Sequence, residues 1–208
     1  MKIHKYSVGQ LQTNCYFLVD DQKLIVIDAG GDADFLLEEI QRKKLDPLGI
    51  FATHGHFDHI LGVGEIQMSF PVPLYIFKED EFLVKRVKET ARYFLRIDPQ
   101  MIEPTRFMWL KEGAVKIGPF SFEILHTSGH TPGACCFYLK KENIIFTGDT
   151  LFKGAIGRYD FSYSDKKKLK NSLERLFFLP DETIVYPGHG EATFIGEENE
   201  LQLSKNIL

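Results

Sequence analysis

Of the chain's seven histidines, three fall within six residues, in the run Thr-His-Gly-His-Phe-Asp-His at 53–59. His54 and His56 stand two apart, so on an extended backbone both rings can point the same way. Asp58 and His59 follow on the next turn and can face a second point nearby. Imidazoles and a carboxylate at such close quarters are poor core material. They suit the ligand chemistry of zinc, iron or manganese.

Three later features each pair one more ligand type with glycine. His130 sits in His126-Thr-Ser-Gly-His-Thr-Pro-Gly133, Asp149 in Phe146-Thr-Gly-Asp-Thr150, and His189 in Tyr186-Pro-Gly-His-Gly190. Each comes in a loop after an apolar run that reads as a strand. Glycine lets such loops turn tightly and bring a side chain inward. Reactive groups commonly stand on loops held by a rigid scaffold.

That scaffold is legible in outline. Strands are expected at Lys2–Val8, Cys15–Asp20 and Lys23–Asp28, with Asp20-Asp21-Gln22 as a hairpin turn. Phe35, Leu36, Leu37 and Ile40 give helical spacing over Ala33–Lys44, with Asp32 as its N-cap. Leu48–Thr53 is an apolar run ending at the histidine cluster, Gly62–Phe70 a helix and Leu74–Phe77 a buried strand. Glu79–Ile97 carries apolar residues at helical intervals and is limited by Pro99 and Pro104. Strand-like stretches follow at 106–110, 114–117, 120–126, 134–139 and 143–147. A helix near Asp165–Phe178, a strand at Thr183–Tyr186 and a short helix after Gly196 close the chain. Two β-rich halves, each with helices, indicate a layered α/β fold in a single domain over 1–208.

The bulk numbers agree. The 208 residues are 44% hydrophobic and 26% charged, as expected of a globular protein. A net charge of −4 and a pI near 6.0 give no electrostatic basis for a nucleic-acid or anionic-membrane partner. Three cysteines, two of them adjacent, make no disulfide framework. With no signal-peptide pattern and no span-length apolar run, a cytoplasmic protein is expected.

The pattern His-x-His-x-Asp-His, followed by single His, Asp and His in these contexts, resembles the metallo-β-lactamase superfamily over about residues 14–190. That resemblance implies a four-layer αββα sandwich with two divalent metal ions, zinc expected and iron or manganese as alternatives. By motif position His54, His56 and His130 would bind the first ion, Asp58, His59 and His189 the second, and Asp149 would bridge them beside a shared hydroxide nucleophile. Asp58 and Asp149 are the carboxylates expected to steer its proton. The true β-lactamases of the superfamily carry cysteine where Asp149 stands, which argues against a dedicated lactamase.

Thr53–His59, Gly148-Asp-Thr-Leu-Phe152 and Gly157-Arg-Tyr-Asp-Phe161 most resemble the short bacterial relatives of glyoxalase II, the hydroxyacylglutathione hydrolases. The implied reaction is thioester hydrolysis, of S-D-lactoylglutathione or a related compound. Longer members add a helical C-terminal region that holds glutathione, whereas eighteen residues follow Gly190 here. The grip on glutathione is therefore expected to be weaker, differently built or absent, with Lys153, Arg158 and Tyr159 as candidate contacts to a carboxylate. Lys166-Lys167-Lys168 reads as a solvated helix face. A mononuclear iron persulfide dioxygenase shares the Gly-Arg-x-Asp-Phe stretch and is the alternative, beside hydrolases of other esters, lactones or phosphodiesters. Partner expectations are a small-molecule thioester, no nucleic acid and no membrane.

Overall fold

In the first half of the chain, β-branched and aromatic runs alternate with polar turns. The computed structural model, which describes residues 1–205, folds them into a six-stranded sheet. Its strands β1 (Lys2–Val8), β2 (Thr13–Asp20), β3 (Lys23–Ile27), β4 (Asp46–Phe51), β5 (Leu74–Ile76) and β6 (Phe107–Trp109) lie side by side in chain order. The first three pair antiparallel, and β3 to β6 pair parallel. Asp21, at φ 53°, and Gln22 make the expected hairpin turn, with Asp20 paired to Lys23.

Parallel neighbours need crossovers, and helices supply them. The crossover from β3 to β4 is α1 (Ala33–Arg42); α2 (Phe57–Ile60) and α3 (Val63–Ser69) lie between β4 and β5, and α4 (Glu81–Val84) and α5 (Val87–Leu95) between β5 and β6. Val26, Leu36, Ile50, Ile60, Ile66, Leu74 and Ala91 share the core beneath them. Met1–Leu110 and Lys116–Phe120 form this compact unit; Lys111–Val115 and the chain from Ser121 on form a second.

A second six-stranded sheet, most of whose residues belong to the second unit, has the order β7 (Gly113–Ile117), β8 (Phe120–His126), β9 (Cys135–Leu139), β10 (Ile144–Gly148), β13 (Ile184–Pro187), β14 (Thr193–Phe194). A two-stranded hairpin, β11 (Leu151–Phe152) with β12 (Ala155–Ile156), follows β10. The parallel step from β10 to β13 is made through α6 (Lys166–Leu176), whose Leu169 and Leu173 bury against Cys136, Ile145 and Val185. Asp165 caps α6, its carboxylate accepting the Lys168 amide at 3.0 Å. The last helix, α7, spans Ile195–Lys205 and is longer than the short helix expected after Gly196.

Three local expectations are corrected. Glu79–Ile97 is not one helix: a 3-10 turn at Lys78–Asp80 leads into α4, and the Arg86 amide bonds Leu83 rather than the residue four back. The break lets Leu83 and Val84 bury on one side and Val87 and Ala91 on the other. Asp32 stands at the N-cap of α1 but in a left-handed conformation, its carboxylate accepting the Gly9 amide at 2.9 Å instead of capping. Asp58 and His59 lie on a one-turn helix, α2, rather than a simple turn.

Candidate metal centre

In the first unit the parallel strands β3 and β4 end together, and the residues just past them meet. Asp28, at φ 56°, follows β3 and is buried. One of its carboxylate oxygens accepts the Thr53 amide at 2.8 Å. The other accepts the Thr53 hydroxyl at 2.8 Å and Nδ1–H of His59 at 2.9 Å. The Thr53 hydroxyl has one proton and spends it on Asp28. It can therefore only accept from His54 Nδ1, 3.1 Å away. His54 and His59 thus both carry their proton on Nδ1 and present Nε2 as a lone pair. Fixing a ring by a hydrogen bond at one nitrogen is how proteins ready the other for a metal.

Around those two rings the remaining donors close in. His54 Nε2 lies 3.0 Å from His56 Nδ1, the His54 and His59 ring centroids are 4.1 Å apart, and His59 Nε2 is 3.6 Å from Asp58. The Thr13 hydroxyl donates to Asp58 at 3.2 Å. Two further devices hold the loop. A Cβ on Gly30 would fall 1.7 Å from the Asp58 carbonyl oxygen, so glycine alone fits. The Gly55 amide donates to the buried Asp80 carboxylate at 2.8 Å.

In the second unit His130 lies between β8 and β9, Asp149 follows β10 and His189 follows β13, as the strand-end pattern predicted. Asp149 directs one oxygen to each histidine: Oδ2 is 3.7 Å from His130 Nε2 and Oδ1 is 3.8 Å from His189 Nε2. His130 donates from Nδ1 to the Arg158 carbonyl oxygen at 2.8 Å, and Ser164 donates to the His130 carbonyl at 2.7 Å. Gly157 passes so near that a Cβ there would stand 1.9 Å from the Asp149 carbonyl oxygen. The stretch Gly157–Phe161 is therefore a brace on two of the expected ligands.

Donor atoms about 2.0–2.2 Å from one ion at a tetrahedral angle stand roughly 3.4 Å apart. The separations within each unit, 3.0 to 3.8 Å, bracket that value. Each of the seven residues offers one ligand atom of the kind that holds a divalent ion. A donor set of five imidazoles, three of them held at Nδ1, and two carboxylates fits such ions.

The candidate substrate contacts are engaged otherwise. Lys153 pairs with Glu191 at 2.6 Å. The Arg158 guanidinium grips Asp160 at 3.0 and 2.9 Å and lies 4.6 Å over the Phe161 ring. Tyr159 is exposed, with the Lys166 ammonium 5.3 Å from its ring centre. A substrate carboxylate would share either cation with the carboxylate already beside it.

Asp28 escaped the sequence analysis, although its carboxylate fixes two of the histidines. Its only trace there is an acid closing the apolar run Leu24–Ile27.

Residues 8–189, a stretch that takes in parts of both units, match the family model described as the metallo-beta-lactamase superfamily. The hydroxyacylglutathione hydrolase GloC of Haemophilus influenzae is 36% identical over 201 residues, covering 95% of each chain. Among solved structures, the BLEG-1 B3 metallo-beta-lactamase is 34% identical, with a TM-score of 0.89 over 96% of this chain and 97% of that one. TTHA1623 in a di-iron-bound form is 36% identical, with a TM-score of 0.88 over 95% and 98%.

Proposed function

Because this chain belongs to the metallo-β-lactamase superfamily and has its α/β fold, we propose that it is a dinuclear metallohydrolase that cleaves thioesters in the manner of glyoxalase II. The observation that carries this reading is the near full-length similarity to GloC, joined to a complete set of seven ligand-type residues. In this proposal His54, His56 and His130 hold one ion, Asp58, His59 and His189 the other, and Asp149 is shared. Bound there, divalent ions lower the pKa of a water to about 7 and polarise a carbonyl.

The chain's own residues account for the rest. Asp28 holds the protons of His59 and, through Thr53, of His54 on the nitrogens turned away from the centre. Thr13 occupies one oxygen of Asp58, fixing the carboxylate that, with Asp149, orients the proton of the attacking water. A thiol leaving group has a pKa near 8.5, so it departs as thiolate and asks for no strong general acid. Zinc is the expected metal; the di-iron form of TTHA1623 makes iron the alternative. Three free, buried cysteines suit a reducing, cytoplasmic compartment. Among the described residues, no helix is long and apolar enough to cross a membrane.

One observation favours a second activity: BLEG-1 is described as a B3 metallo-beta-lactamase. The deciding experiment assays purified protein, with its metals quantified, against S-D-lactoylglutathione, a simple acyl thioester and a β-lactam. The proposal expects thioester turnover with two metals per chain, and at least about a hundredfold loss in Asp149→Ala or His56→Ala. Lactam turnover alone, or thioester turnover unchanged in both variants, would overturn it.

A further inference from the structure

The second unit holds a cavity of about 370 Å³, lined by Ile156, Tyr159, Lys166, Lys167, Lys170 and Leu173 among others. That volume falls in the range of small-molecule sites, roughly 300–1,000 Å³. Its composition is uneven: apolar side chains and an aromatic ring stand beside three ammonium-bearing chains. Leu173 is fully buried, so the apolar part is fixed by the core, whereas the three lysines are exposed.

Those lysines lie on the solvated helix face expected of them, in an arrangement that costs the helix stability. Lys166 and Lys170 are like charges four apart, a spacing that destabilises a helix by a few tenths of a kcal/mol. Lys166, Lys167 and Lys168 open α6, which has no acid in its first turn, where the helix dipole disfavours cations. Carboxylates do not relieve them. Glu174 reaches Lys170 only at 4.0 Å, Asp160 is held by Arg158, and Asp165 caps the Lys168 amide. Lys166 has the face of Tyr159 as its neighbour. In a chain of net charge −4, this is a local excess of positive charge around an apolar hollow.

We infer that this cavity binds an amphipathic organic phosphate, its apolar body against Ile156, Tyr159 and Leu173 and its dianionic head among Lys166, Lys167 and Lys170. Three ammoniums set against the one carboxylate of Glu174 leave two positive charges, the complement of a phosphate monoester. Lysine serves such a group as a point charge without demanding a fixed fork geometry. None of its lining residues is an expected metal ligand, and Tyr159 alone is shared with the candidate contacts of the thioester reading. A phosphate-bearing substrate tail and a separate effector share this chemistry.

Calorimetric titration of the metal-loaded protein tests it with three probes: phenyl phosphate, inorganic phosphate and benzyl alcohol. Phenyl phosphate should bind at least about tenfold tighter than either of the others. Its binding should weaken by about the same factor in Lys167→Glu/Lys170→Glu, with circular dichroism unchanged, and persist in His56→Ala. Equal binding of inorganic phosphate would reduce the cavity to a generic basic face and overturn the inference. So would binding that survives the lysine substitutions or disappears with His56→Ala, which would put the ligand at the metal centre. Competition of phenyl phosphate with thioester turnover marks a substrate tail; a change in turnover that added thioester does not overcome marks an effector. Both follow from the same cavity, and the lysine variant must weaken either by about that factor.

Discussion

The Asp28 carboxylate lies 2.9 Å from Nδ1 of His59 and, with its other contacts to Thr53, governs the proton positions of two histidines from one buried point. Asp28→Asn would turn an amide donor either towards the Thr53 amide N–H or towards both the Thr53 hydroxyl and the His59 N–H, each of which needs an acceptor. Loss of such an outer partner typically costs about 10–100-fold in metal affinity. Competition with a chromogenic chelator measures it. Wild-type affinity in a folded Asp28→Asn protein would remove Asp28 from this role.

Gly157→Ala tests the brace. The added methyl would sit 1.9 Å from the Asp149 carbonyl, so the backbone must shift and move Asp149 or the carbonyl that holds His130. Overpacking of this kind costs about 1–3 kcal/mol. Denaturant melts should show that loss together with reduced turnover. A variant as stable and active as the parent would show that the close approach is incidental.

Burial pushes the Cys136 thiol up to about 12, and Cys15 is likewise raised. A thiol reacts as thiolate, so iodoacetamide at pH 8 should label none of the three buried cysteines in the native protein and all three after unfolding. Mass spectrometry counts the adducts. Turnover should survive the native treatment, and its loss with labelling would contradict a thiol-free mechanism.

Away from the centre, hydrogen bonds from Arg42 and then Tyr6 hold the Glu39 carboxyl down at about 2. Its folded value lies below its unfolded one, so its contribution is complete above about pH 4.5 and fades as pH falls through 2. Glu39→Gln should cost about 1 kcal/mol at pH 7. Paired melts should then converge as the pH approaches 2. A gap that stays constant with pH would show that charge has no part in it.

Much of this was written in the sequence. β7, β8, α1, α3 and α6 follow from alternation and helical spacing because each buries a regular stripe, and β9 and β10 from unbroken apolar runs. The seven ligand-type residues stood out because they are polar residues at the ends of apolar runs. What escaped was set by tertiary contact. The break at Arg86 obeys core packing on both sides of it, and β11, β12 and β14 are two residues long, too short to show a period. Asp32 carries every mark of a cap, yet a distant amide competes for its carboxylate. Asp28 is invisible for the same reason: its partners are twenty-five and thirty-one residues away.

The bond from His130 to Arg158 uses the main-chain carbonyl of Arg158, a group that every amino acid possesses. The side chain at that position is therefore free to change without disturbing the histidine it backs. The backing of His130 and the ion pair with Asp160 share one residue here but not one set of atoms. Under the proposed function, this is a position where selectivity can be redrawn, by evolution or by design, while His130 keeps its partner.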